Sequence, residues 1–214
     1  MPGHDEFSPL GPNLPREFRT FTKIFADILK VKSESALVTQ NQLTRGGTVL
    51  RYKLDDLASN AAEAELPAVE LGAKQVTAQY QAATALANTF VINSDQTVAT
   101  SALARLKFVE NSLRAISSTD EKIVQSVKEV SALLDEYRKS LGKLVENSKS
   151  IDELTAEMAE SATAIMQGSG AMKAALLSDQ QRLESESDAS IGETERLIAM
   201  LAAGGFLLGG FPDP

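Results

Sequence analysis

Five polar side chains of this sequence have the types and the spacing of a small-molecule binding site. They lie on, or one position beside, the apolar faces of the helices predicted below: Arg51, Thr84, Asn88, Arg105 and Tyr137. Two guanidinium groups near a tyrosine hydroxyl suit a small carboxylate, because one guanidinium donates two parallel N–H bonds to it. A second interpretation packs the stems of Arg51 and Arg105 on the surface and leaves their charged heads in water.

Composition excludes most other chemistry. The sequence contains no Cys and a single His, His4, which excludes thiolate nucleophiles and leaves the body of the chain without a histidine acid–base catalyst or histidine metal site. It contains no phosphate-loop motif and no calcium-loop spacing. We therefore predict no enzyme activity, no metal and no cofactor. The net charge of -8 without a basic stripe argues against nucleic acid as a partner.

The elements that would position these residues are helices, and the longest is predicted from about Asp120 to Arg196. Its apolar and small residues follow one another in alternating steps of four and three, which is a heptad pattern. The series runs Ile123, Val127, Val130, Leu134, Tyr137, Leu141, Leu144, Ser148, Ile151, Thr155, Met158, Ala162, Ile165, Ser169, Met172 and Leu176. At about 1.5 Å per residue the helix would be roughly 115 Å long.

Three shorter elements precede it. A first helix is predicted from Arg16 to the residues before Pro67, because proline ends a helix at its predecessor. A second covers Pro67 to Ile92, and a third covers Gln96 to Ser117 with Asp95 as its N-cap. The short turns make successive helices antiparallel. The predicted fold is all-α, an elongated antiparallel four-helix bundle with two long helices that extend beyond it.

The predicted domain organisation follows from the helix lengths. Residues 1–15 form a disordered leader with four prolines and no signal-peptide pattern. Residues 16–196 form one helical domain, with a closed bundle over about 43–140 and a two-helix extension that pairs 16–42 with 141–196. Because two helices do not complete a core, we expect the extension to be completed by absent chain or by a second protomer.

Residues 197–211 are apolar throughout, and 212–214 form a short tail. One interpretation of 197–211 is the beginning of a truncated transmembrane helix, because about 22 Å of helix is shorter than the roughly 30 Å hydrocarbon core. The alternatives are a terminal helix that docks on a partner and an inert tail. The glycines of Gly46-Gly47 and of Gly168-Ser169-Gly170 are either hinges of the two long helices or local kinks.

Folding the helices about their turns places core residues in three layers. The first is Leu50, Tyr80, Val109 and Val130, the second is Gly47, Ala83, Leu106 and Leu134, and the third is Leu43, Ala87, Ala102 and Tyr137. The second and third layers are rich in small residues. Such layers either bring helices close together or leave a hollow, and hollows between bundle helices are common ligand sites.

Several stretches resemble the sensor region of bacterial methyl-accepting chemotaxis proteins of the helical bimodular type. They are EFRTFTKIFADIL, LTRGGTVLRYKL, ALANTFVINSDQ with LARLKFVENSLRAI, and LLDEYRKSLGKLV. In that family six helices form two stacked four-helix bundles, and residues 16–211 look like helices three to six. The first transmembrane segment and the first two helices have no counterpart in this sequence.

The resemblance implies an extracytoplasmic, ligand-sensing receptor region that binds a small organic acid or similar metabolite and passes a helix shift to the membrane. It implies a homodimer in the bacterial inner membrane with the sensor facing the periplasm. The alternative from another class is a helical interaction or scaffold protein, whose exposed apolar faces bind partner helices and which has no small-molecule site.

Overall fold

The structure, a computed structural model, describes residues 14–208, and this part of the chain is all-α. Its helices are α1 (Leu14–Leu37), a π-helical segment (Val38–Arg45), α2 (Gly46–Glu63), α3 (Pro67–Asn93), α4 (Gln96–Arg114) and α5 (Glu121–Leu208). Most of the predicted leader, the last residues of the predicted membrane segment and the predicted tail lie outside the described residues.

The first predicted helix differs from expectation in one respect, which is the π-helical segment in its middle. The buried residues Val38 and Leu43 are five positions apart there. In an α-helix the fifth residue lies about 140° around the axis from the first, whereas bonds from i to i+5 place it nearly above the first. The Gly46 N–H bonds to the Asn41 carbonyl, five residues back. The π geometry therefore keeps both apolar side chains on the same face.

The turns between helices form largely as the sequence indicates. The Asp95 carboxylate accepts hydrogen bonds from Thr97 N at 2.7 Å and Val98 N at 3.3 Å, which makes Asp95 the N-cap of α4. Ser94 closes α3 in the left-handed conformation, with φ of 57°. Asp120 caps α5 by accepting from Ile123 N at 3.1 Å. Helix α1 begins at Leu14, two residues before the predicted start.

The described residues belong to two compact units, and the first is Thr22–Met158. Its core is one apolar cluster to which the π segment, α2, α3, α4 and α5 all contribute. All members of the three predicted layers are buried except Gly47, which is half-buried. Two ion pairs join α2 and α5: Lys53 pairs with Glu129, and Glu63 pairs with Lys122. Because the residue numbers rise along one helix as they fall along the other, α2 and α5 run in opposite directions.

The second unit contains the described residues of Met1–Phe21 and Ala159–Pro214. Leu14 and Ser161 are buried in it, and the Ser161 hydroxyl donates to the Glu17 carbonyl at 3.1 Å. A Cβ at Gly168 would lie 2.8 Å from Leu14 Cδ1, so the glycine allows this leucine to approach the α5 backbone. From residue 173 to residue 198 the side chains of α5 are exposed, apart from Asp179.

Candidate functional site

The five predicted site residues have different surroundings in the structure. Tyr137 is buried, with 4% of its surface exposed, whereas Arg51, Asn88 and Arg105 are exposed. The Thr84 hydroxyl donates to the Gln81 carbonyl of its own helix at 2.9 Å. None of the hydrogen bonds or ion pairs among residues 14–208 joins any two of these five residues.

The Arg51 guanidinium lies over the ring of its neighbour Tyr52, with its carbon 5.4 Å from the ring centroid. Tyr52 is itself 58% exposed, so this cation–π contact lies at the surface, where such contacts contribute about 0.5–1 kcal/mol. This arrangement matches the interpretation in which the arginine head stays near water. It still leaves the guanidinium accessible to a ligand anion.

Two buried tyrosines occupy the space beside the small residues of the predicted layers. The rings of Tyr80 and Tyr137 meet edge to face, with centroids 5.7 Å apart, and the Tyr80 hydroxyl donates to the Gly47 carbonyl at 3.1 Å. A Cβ at Gly47 would lie 3.0 Å from Tyr137 Cε2 and 3.1 Å from Tyr80 Oη. The missing side chain of Gly47 is therefore what makes room for the two rings.

Burial changes the acid–base behaviour of both phenols. It raises the pKa of Tyr137 to about 12. The pKa of Tyr80 is also raised, first by burial and then by the neighbouring Tyr137, while Arg51 lowers it by a smaller amount. Both phenols therefore remain protonated at neutral pH, and each keeps a hydrogen that it can donate.

A groove of about 340 Å³ lies between the π segment and α5. Its lining includes Asn41, Gln42, Glu136, Tyr137, Lys139 and Ser140. The Ser140 hydroxyl is buried and lies 2.7 Å from Gln42 Oε1 and 2.7 Å from the Glu136 carbonyl. Small-molecule sites typically have volumes of about 300–1,000 Å³, so the groove has the size of a small ligand site.

Of the groove residues, sequence reasoning identified only Tyr137. The signal that it missed is the interval of five between Val38 and Leu43, which an α-helix with one apolar face does not accommodate. The polar residues inside this interval, Asn41 and Gln42, are the ones that the π segment places beside α5.

Ion pairs around the groove lie at the surface. Lys139 Nζ lies 2.7 Å from Asp135 Oδ2, and hydrogen bonds from Lys139 and Arg138 hold the pKa of Asp135 below its usual value. The pKa of Glu129 is lowered by hydrogen bonds from Gln125 and Lys53. Exposed pairs of this kind contribute at most about 1 kcal/mol, so a ligand can compete for Lys139.

A second groove of about 270 Å³ lies near the turn between α3 and α4, with Lys32, Thr39, Phe90, Ser148 and Asp152 in its lining. Two of its hydroxyl groups take part in hydrogen bonds within the protein: Ser148 accepts from Gln96 Nε2, and Ser35 accepts from Asn147 Nδ2.

Within residues 14–208, no cluster of three or more acidic or histidine side chains is arranged to hold a metal ion. None of the helices described there has a stretch that is long and apolar enough to cross a membrane. Comparison of the chain with protein-family models, with curated proteins and with solved structures finds no match.

Proposed function

We propose that this chain is the ligand-sensing region of a bacterial transmembrane chemoreceptor, as its resemblance to the helical bimodular sensors implies. In this proposal α2, α3, α4 and the beginning of α5 form an antiparallel four-helix bundle. The shared apolar cluster and the opposite running directions of α2 and α5 support that arrangement. A small metabolite binds to the bundle from the periplasm, and the signal leaves through the C-terminal part of the chain.

The observation that carries this proposal is the π segment, which contacts α5 through the bond between Gln42 and Ser140. A sensor needs an element with two alternative packings that a ligand favours unequally. π-Helical turns are rare inside α-helices and are frequent at functional sites. A ligand beside this segment would act on α5, because the segment and α5 line the same groove.

The first experiment is a thermal-shift screen of the whole chain against organic acids and amino acids, with sugars as neutral controls. We expect at least one acid or amino acid to raise the unfolding temperature in a saturable way. At 100 times Kd a single site stabilises the folded state by about 2.7 kcal/mol. A complete absence of shifts, confirmed by calorimetry, would contradict a sensor function.

A second experiment tests the predicted arginine site. If Arg51 and Arg105 hold a carboxylate, replacing both with alanine abolishes the shift caused by small carboxylates. The exposed arginine Arg182, which pairs with Glu186 on α5, offers a control substitution that removes surface charge elsewhere. An unchanged shift in the double variant would place the carboxylate site elsewhere on the chain.

The genomic neighbourhood provides an independent test of the receptor assignment. An upstream transmembrane segment and a downstream signalling domain, encoded in frame with this chain, are the expected result. A neighbourhood that encodes neither would favour a protein that acts without a membrane anchor.

The second candidate function is a helical interaction module, and the exposed apolar side chains of α5 favour it. Leu176, Leu183, Ile191 and Leu197 are each more than half exposed, and a series of exposed apolar groups marks an association surface. We propose that this surface forms a homodimer. Analytical ultracentrifugation should show self-association of the chain, and this association should weaken when Leu176 and Leu183 are replaced with serine. A chain that is monomeric at all concentrations would contradict the dimer.

A further inference from the structure

The groove between the π segment and α5 is lined by a buried tyrosine, Tyr137, whose hydroxyl is available as a hydrogen-bond donor. The Tyr137 side chain is 96% buried, and its hydroxyl takes part in none of the hydrogen bonds that the structure gives within residues 14–208. The Tyr80 hydroxyl, at the other side of the same ring contact, is bonded to Gly47. The Tyr137 oxygen is not among the fully buried side-chain atoms that lack a partner, so its hydroxyl can be reached from the groove, and an acceptor atom of a ligand there would receive its hydrogen bond.

The groove also carries one charge of each sign. Glu136 is exposed and forms no ion pair within residues 14–208. Within the described part of the chain, the one ion pair of Lys139 is an exposed pair with Asp135. The Gln42 amide uses its oxygen to accept from Ser140, so its NH₂ group stays available as a donor. The formal charge of the two ionised groups that line the groove sums to zero.

We propose that this groove binds a small zwitterion of the amino-acid type, with the carboxylate at Tyr137 Oη and Lys139 and the ammonium group at Glu136. The inference rests on the proposed sensor function and names the ligand class of its site. The neutral phenol of Tyr137 donates a hydrogen bond to the ligand carboxylate, and the charged ammonium group of Lys139 forms an ion pair with the same carboxylate. Glu136 disfavours a dicarboxylate because it would repel the second carboxylate at close range.

The π segment connects occupancy of this groove to the fold. Asn41 and Gln42 belong to the turn whose bonds run from i to i+5, and the zwitterion would contact both this turn and α5. If the segment has two alternative conformations, binding favours the one that keeps the Asn41 and Gln42 amides beside Tyr137. A population shift of this kind requires the ligand to bind the two forms with different affinities.

The test is calorimetry on the full chain with glycine, serine, alanine, acetate and succinate as probes. We expect at least one amino acid to bind more tightly than acetate and succinate. Tyr137→Phe should weaken its binding about 10-fold, because one hydrogen bond to a charged group is lost. Glu136→Gln should weaken amino-acid binding without weakening that of acetate. The variant Tyr52→Phe changes an exposed tyrosine outside the groove and should bind like the unmodified chain.

The outcomes separate this inference from the proposed function. Amino-acid binding that is unaffected by both Tyr137→Phe and Glu136→Gln would overturn the site while leaving the sensor function intact. Binding of acetate or succinate without amino acids would overturn the ligand class, and the double substitution of Arg51 and Arg105 would then locate the carboxylate site. No binding by any probe, in a chain whose circular dichroism shows it folded, would overturn this inference, and the sensor function would fall with it if the wider thermal-shift screen also found no ligand.

Discussion

Helix α5 contributes residues to both compact units, and its apolar side chains have opposite surroundings in them. Between Ile123 and Leu144 the heptad positions are buried or nearly so. Leu134, for example, has only 1% of its surface exposed. In the second unit Leu176, at a heptad position of the same helix, is 54% exposed. The pattern of the sequence continues through both stretches, so the periodicity identifies the face that a partner would cover but does not show that a partner is present.

The two stretches also differ in how their polar groups are used. In the unit Thr22–Met158, hydrogen bonds join different helices, as between Gln42 and Ser140 or between Ser35 and Asn147. From residue 174 to residue 198, the side-chain hydrogen bonds of α5 are local and exposed, as between Arg182 and Glu186. Stability is therefore expected to be concentrated in the first unit, because local exposed pairs on a helix contribute only about 0.2–0.5 kcal/mol each.

Leucine truncation gives the largest expected contrast. Leu134→Ala should lower the free energy of unfolding by about 2–5 kcal/mol, because it leaves a cavity in the core. Leu176→Ala should change it by no more than about 0.5 kcal/mol, as for other surface substitutions. Urea denaturation of both variants measures the difference. Similar losses would show that Leu176 is covered in solution, and would favour the dimer.

Glycine substitution gives the next contrast. Gly47→Ala should destabilise by about 1–3 kcal/mol, because the added methyl group meets two buried tyrosines at close range. A Cβ at Gly170 meets no atom within 4 Å, so Gly170→Ala should stabilise by about 1 kcal/mol through helix propensity. Thermal denaturation of both variants tests this. Stabilisation by Gly47→Ala would mean that the tyrosine pair can move aside.

Alkaline pH should weaken the tyrosine-containing unit. Tyrosine in the unfolded chain titrates near a pKa of about 10, and burial raises the pKa of Tyr137 to about 12. A raised pKa contributes stability that is complete below pH 10 and is lost as the pH rises towards 12. Urea midpoints at about pH 9 and about pH 11 should show a smaller loss in Tyr137→Phe than in the unmodified chain. An equal loss would show that Tyr137 is not its cause.

Deletion of one residue from the π segment should have the smallest effect on stability. Removing Gln40, which is exposed, shortens the interval between Val38 and Leu43 to four, which an α-helix accommodates. We expect the free energy of unfolding to stay within about 1 kcal/mol of the original value, within the range of a helix-propensity change. Removing Ala132 from α5 turns the preceding buried residues by about 100° and should destabilise far more. Equal destabilisation would contradict the role given to the π geometry.

The sequence by itself determined the helical class, the turns and the core residues. Pro67, Asp95 and Asp120 marked helix ends that the structure confirms within a few residues, because proline and N-cap carboxylates act through local backbone groups. The members of the three layers were also predicted correctly as buried positions, apart from the half-buried Gly47, since burial follows from the apolar period of each helix.

Only the tertiary structure decided the contents of the site. The positions of side chains across helices depend on packing, and no local rule states that Gly47 admits two tyrosine rings or that the Arg51 head lies over Tyr52. The π-helical conformation of residues 38–45 also depends on tertiary packing. Its i to i+5 bonds are a poorer local choice than an α-helix, and they form because they let Val38 and Leu43 enter one core, a benefit that exists only once α3, α4 and α5 are in place.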